Sequence, residues 1–107
     1  IRMGDEAICT SIIVAAELRY GAVRKAAPRL AEKIEKALRK IQVLPLQPPV
    51  DLVYAEIRAE LERAGMMIGA NDLFIASHAR MLGHVLVTDN EREFSRVPDL
   101  RIENWLR

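Results

Sequence analysis

A single cysteine, Cys9, stands in the 107 residues, so an internal disulfide is excluded and thiolates alone cannot build a zinc cluster. No apolar run approaches the ~20 residues that a membrane-spanning helix needs, and no basic-then-apolar leader opens the chain. A glycine-rich phosphate loop is missing as well, which argues against nucleoside triphosphate hydrolysis. There is no internal repeat, linker or low-complexity tract, and the net charge is only +1. These absences leave a globular chain with a reducing, cytoplasmic setting as the expectation.

What is present fits that class. Half the residues are hydrophobic and 29% are charged, enough for one small core over residues 1–107. The near-zero net charge conceals a basic stretch in which Arg24, Lys25, Arg29, Lys33, Lys36, Arg39 and Lys40 face only Glu32 and Glu35. Two readings of it stand: a solvated helix face, or a surface for nucleic-acid phosphates.

Residues 7–10 form a short apolar run that reads as a buried strand of a parallel sheet. Ser11 then caps a helix whose interior, residues 12–20, is apolar nearly all round and is expected to be buried on more than one side. Pro28 opens a second helix with Leu30, Ile34, Leu38 and Ile41 on one stripe. Residues 42–46 read as an edge strand because Pro45 cannot donate to a ladder. A third helix from Val50 buries Val53, Tyr54, Ile57 and Leu61 and ends at Gly65. A fourth begins near Asn71 and Asp72 and ends at Gly83; residues 84–88 make a second buried strand, and residues 100–105 a last one with Trp105 over the core. Such alternation predicts an α/β fold, a mostly parallel sheet flanked by helices.

Glu17, Asp72 and Asp89 are each set among apolar residues without a local basic partner. Asp72 read alone is a helix N-cap, and Glu17 read alone is half of a distant ion pair. Read together, three converging acids repel one another and call for a cation, and an all-oxygen set favours Mg²⁺ or Mn²⁺ over zinc. Asp89 and Asn90 follow the carboxyl end of a strand, where α/β sheets bind ligands, and Asn90 adds a neutral oxygen. A site of this kind suits hydrolysis of a phosphodiester. Cys9 reads as an inert core thiol, and His78 and His84 as structural or surface groups.

Three segments then resemble PIN-domain ribonucleases of the VapC toxin type: Thr10-Ser11-Ile12-Ile13-Val14-Ala15-Ala16-Glu17-Leu18-Arg19-Tyr20-Gly21, Ile68-Gly69-Ala70-Asn71-Asp72-Leu73-Phe74-Ile75-Ala76, and Leu86-Val87-Thr88-Asp89-Asn90-Glu91-Arg92-Glu93-Phe94. The resemblance implies a three-layer PIN-like fold and a Mg²⁺-dependent endoribonuclease toxin, held by a cognate antitoxin and forming a homodimer. It implies catalytic and metal-binding roles for Glu17 and Asp72. For the fourth acidic position Asp89 is preferred, with Asn90 as a further contact and Glu93 as an alternative. Lys33 and Lys36 become candidate RNA contacts. The family's first strand, which ends in an Asp, has no match before Ala7. The domain is therefore expected to be N-terminally incomplete, with a gap between the strands at residues 7–10 and 85–88. In isolation it is expected to fold poorly and to cut little RNA. The alternative is a catalytically incomplete fragment or an antitoxin-binding module without nuclease activity.

Overall fold

The computed structural model describes residues 2–3 and 7–104, with side chains from Cys9 onward. In chain order the elements are β1 (Arg2–Met3), β2 (Ala7–Ser11), α1 (Ile12–Lys25), α2 (Pro28–Arg39), β3 (Gln42–Leu44), α3 (Val50–Ala64), α4 (Ala70–Leu82), β4 (Leu86–Val87), α5 (Glu91–Phe94) and β5 (Ile102–Glu103). This is the expected α/β succession, with a short additional strand, β1, ahead of the first one read from the sequence.

The strands form two groups. One has the order β1-β2-β3, with β1 antiparallel and β3 parallel to β2; the other pairs β4 with β5 in parallel. Among the described residues no strand joins β2 to β4, which is where the sequence reading places a gap. Edge position for β3 is also as expected, since it stops at Leu44, one residue short of Pro45. β4 is shorter than the 84–88 run, with pairing confined to Leu86 and Val87. Trp105 lies outside the described residues.

Local chemistry accounts for the helix ends. Ser11 takes an extended backbone, and its hydroxyl accepts the Ile13 N–H at 3.2 Å, satisfying one otherwise orphaned donor of α1. α3 ends at Gly65 with φ 67°, a left-handed position that a side chain would strain, and the glycine N–H caps the Leu61 and Glu62 carbonyls. Pro28 occupies the first turn of α2, where its missing N–H removes no helical bond.

The core lies between α3, α4 and the strands, built from Cys9, Ile57, Leu61, Leu73, Ile75 and Leu86 among others. α4 is buried on most of its surface, which the small residues Ala76, Ser77 and Ala79 permit by letting neighbours approach closely. Its two buried polar side chains are satisfied. Ser77 Oγ donates to the Leu73 carbonyl at 2.6 Å, and His78 Nδ1 shares a hydrogen bond of 3.0 Å with the Ser11 hydroxyl, which also accepts from Ile13. Burial pushes the His78 pKa down, consistent with a neutral imidazole in a structural role. Cys9, 1% exposed and with its pKa raised by burial, is the inert thiol expected.

α1 departs from expectation. Only Ala15 and Ala22 are buried in it, whereas Ile12, Leu18, Tyr20 and Val23 are exposed, Val23 to 77%. An apolar run marks a helix that is covered somewhere, but it cannot say by what. Within this chain α1 packs on α2, α4, β2 and β3, and its remaining face is open. Glu17 is consequently exposed rather than embedded, so burial imposes no need for a charge partner.

Candidate active site

β4 ends at Val87, and Thr88, Asp89 and Asn90 follow directly beyond its carboxyl end. A cavity of about 710 Å³ opens there, walled by Val14 and Leu18 of α1, Ile75 of α4, Leu86 and Val87 of β4, and Phe94 of α5. All four predicted metal residues line it: Glu17 from α1, Asp72 from α4, and Asp89 and Asn90 from the turn after β4. Lys33 and Lys36 do not. Both are exposed on α2 and neither contributes to the cavity wall.

Asp72 is not the N-cap. Gly69 holds that position in an extended conformation, and the first helical bond runs from Leu73 N to Gly69 O at 2.9 Å, so α4 starts at Ala70 and Asp72 falls in its first turn. The cap reading failed because glycine, with no side chain to signal a cap, starts the helix earlier than Asn71. In the first turn Asp72 retains the favourable end of the helix dipole. Its carboxyl nonetheless titrates high, pushed from 3.8 to about 6 by burial, by a hydrogen bond with Glu93, and by repulsion from Glu93 and Glu17.

Glu93 is the residue to which sequence reasoning gave too little weight. Its Oε1 accepts the Gly69 N–H at 2.7 Å and its Oε2 accepts from Asn90 Nδ2 at 2.8 Å. These donors, led by the Gly69 amide, pull its pKa down, so a low-titrating carboxylate sits beside a high-titrating carboxyl. The two carboxyls face one another closely enough that each perturbs the other's titration in the opposite direction. The Asn90-x-x-Glu93 spacing, which turns the third residue of a helix back over its start, was a legible signal for this placement.

Oxygen ligands of this kind fit a hard divalent cation. Among the described residues no three His, Cys, Asp or Glu side chains stand close enough together to hold a metal ion. The metal-ligating candidates are therefore the Asp72–Glu93 pair, with Glu17 near enough for its charge to be felt at Asp72.

Parallel strand pairs, enclosing helices and acids beyond a strand's carboxyl end define an α/β protein with its polar site at the end of the strands. Residues 1–100 match the PIN domain family, and the chain belongs to it. It is 45% identical over 100 residues to the ribonuclease VapC2 of Haemophilus influenzae, covering 92% of this chain and 76% of that protein. To the tRNA(fMet)-specific endonuclease VapC of Salmonella typhimurium it is 41% identical over 99 residues, covering 92% and 75%. The structure resembles that of VapBC2 from Rickettsia felis bound to a DNA fragment from its promoter, with a TM-score of 0.88, 41% identity, and coverage of 92% and 75%. Within the PIN family, then, its relatives are the VapC ribonucleases.

Proposed function

We propose that the chain is a Mg²⁺-dependent endoribonuclease toxin of a toxin–antitoxin pair, hydrolysing RNA phosphodiester bonds at the carboxylate cavity. The observation that carries the reading is the gathering of Glu17, Asp72, Asp89 and Asn90 around one cavity at the carboxyl end of β4, with Glu93 beside Asp72. The names of the VapC relatives support ribonuclease chemistry, and the VapBC assembly of the Rickettsia felis structure supports an antitoxin partner.

Asp72 and Glu93 would hold the cation, with Glu17, Asp89 and the Asn90 amide around the cavity. The chemistry supplied there by a bound divalent ion would be activation of a water and neutralisation of phosphate charge. The chain's own residues set the conditions for that. Glu93 is held ionised by the Gly69 amide, and Asp72 gives up its proton above about pH 6. Val14, Leu18, Ile75 and Phe94 form the apolar wall beside the acids. Lys33 and Lys36, on the exposed face of α2, would meet RNA phosphates outside the cavity.

The test is cleavage of a mixed RNA substrate with Mg²⁺ or Mn²⁺, against chelator, by wild type and Asp72→Asn. Metal-dependent cutting that Asp72→Asn abolishes supports the reading; cutting that persists in chelator refutes it.

A second reading, an antitoxin-binding module without nuclease activity, is favoured by two observations. No three ligating groups converge among the described residues, and α1 leaves Leu18, Tyr20 and Val23 exposed in the manner of a docking face. A calorimetric Mn²⁺ titration without heat, with tight capture of the antitoxin, would establish it.

A further inference from the structure

Asn90 stands at the N-cap of α5, where an asparagine ordinarily turns its side-chain oxygen onto a first-turn N–H of its own helix. It makes no such bond. Its Nδ2 donates instead to Glu93 Oε2 at 2.8 Å, while the Gly69 N–H, from the loop ahead of α4, donates to Glu93 Oε1 at 2.7 Å. That the amide presents its NH₂ follows from chemistry, because an amide oxygen would be repelled by a carboxylate. Asn90 is itself anchored, its backbone N–H bonding to Thr88 Oγ1 at 3.0 Å. Each oxygen of Glu93 thus has its own donor, and the two donors come from segments more than twenty positions apart in sequence.

A glutamate side chain has three rotatable bonds, and its terminal torsion is broad when nothing holds it. With one donor on each oxygen the carboxylate plane is set before any ligand arrives. We propose that Asn90 and the Gly69 amide form a clamp that orients Glu93 for a divalent cation, with Asn90 acting as a positioning residue through Glu93 and not as a ligand. The proposal rests on the metal-dependent reading above, and it replaces the neutral-ligand role that the sequence suggested for Asn90. Groups that orient a ligand in this way change metal affinity by about 10–100-fold.

The decisive experiment is a double-mutant cycle on Mn²⁺ affinity, read by calorimetry on the full chain with Asn90→Ala, Glu93→Ala and both together. Asn90→Ala is expected to weaken binding by about 10-fold in the wild-type background. It should have no further effect once Glu93 is alanine. Equal weakening in both backgrounds would make Asn90 an independent ligand and overturn the proposal, as would wild-type affinity in Asn90→Ala. Amide hydrogen exchange in the metal-free protein supplies a second readout. Exchange at Gly69 should speed up in Glu93→Ala and in Asn90→Ala while the Ser95 amide, bonded to the Glu91 carbonyl, is unchanged. Unaltered exchange at Gly69 in Asn90→Ala also overturns the clamp. A wild-type chain that takes up no Mn²⁺ sinks the metal reading and the clamp's purpose together, and exchange at Gly69 then reports separately on whether the contact exists.

Discussion

Replacing Asp72 by Asn should make the protein more stable at pH 8 and leave its stability nearly unchanged at about pH 3, below both the unfolded and the native titration. In the native state the Asp72 carboxyl titrates at about 6, against 3.8 for the unperturbed group, so folding takes up a proton between those values. Stability therefore falls as pH rises through that window, because the native state binds more protons there than the unfolded chain. A rise of about 2 units corresponds to at most ~3 kcal/mol. Asp72 is only partly buried, so solvent screening brings the figure to about 1–1.5 kcal/mol. Asparagine carries no charge, so it escapes this penalty, but it forfeits the favourable interaction of an acid in the first turn of α4, about 0.3–1 kcal/mol. The net gain at pH 8 is about 0.5–1 kcal/mol, or roughly 2–8 °C in Tm for a domain of this size. The assay is thermal unfolding followed by circular dichroism at both pH values, in low salt and in about 1 M salt, where the repulsive part is screened. A Tm difference of the same size at about pH 3 and pH 8, or a variant that melts lower at pH 8, would refute the reasoning. Higher stability together with lost cleavage is the signature of a site whose charges serve chemistry at the expense of the fold.

Other perturbations follow from single contacts. Mn²⁺ affinity should rise with pH through about 6 as Asp72 of the metal-free protein loses its proton, and an affinity flat across that range would remove Asp72 from the metal site. Ile57, fully buried between α3 and the rest of the core, should cost about 2–5 kcal/mol as Ile57→Ala in denaturant titration. Ser11→Ala removes both the cap on α1 and the hydrogen-bond partner of His78, and a loss of about 1–3 kcal/mol is expected, with the larger part recovered if His78 is changed to an apolar residue of similar size. Charge reversal at Lys33 and Lys36 should weaken RNA binding and flatten its salt dependence while leaving Mn²⁺ affinity unchanged; an unaltered salt slope would place the RNA elsewhere.

The order and type of the main elements were legible because the signals are local. A serine before an apolar run, Pro28 at a helix start, Gly65 and Gly83 at helix ends, and the 3.6-residue stripe of α3 each act within a turn or two of chain. The start of α4 was misplaced for the same reason in reverse: Gly69 caps with its backbone and leaves no side-chain mark. The exposure of α1 was illegible because an apolar helix face states a need for cover and not its source.

For the site, the sequence by itself determined which residue types are available, three acids and an asparagine at the ends of predicted elements. Tertiary structure alone decided how they are used. It brings Glu17, Asp72, Asp89 and Asn90 to one cavity from three separate segments, and it sets Glu93 against Asp72 through the Gly69 amide. The physical reason is that a pKa or a clamp depends on distances of a few ångströms between groups far apart along the chain. Only folding supplies those distances.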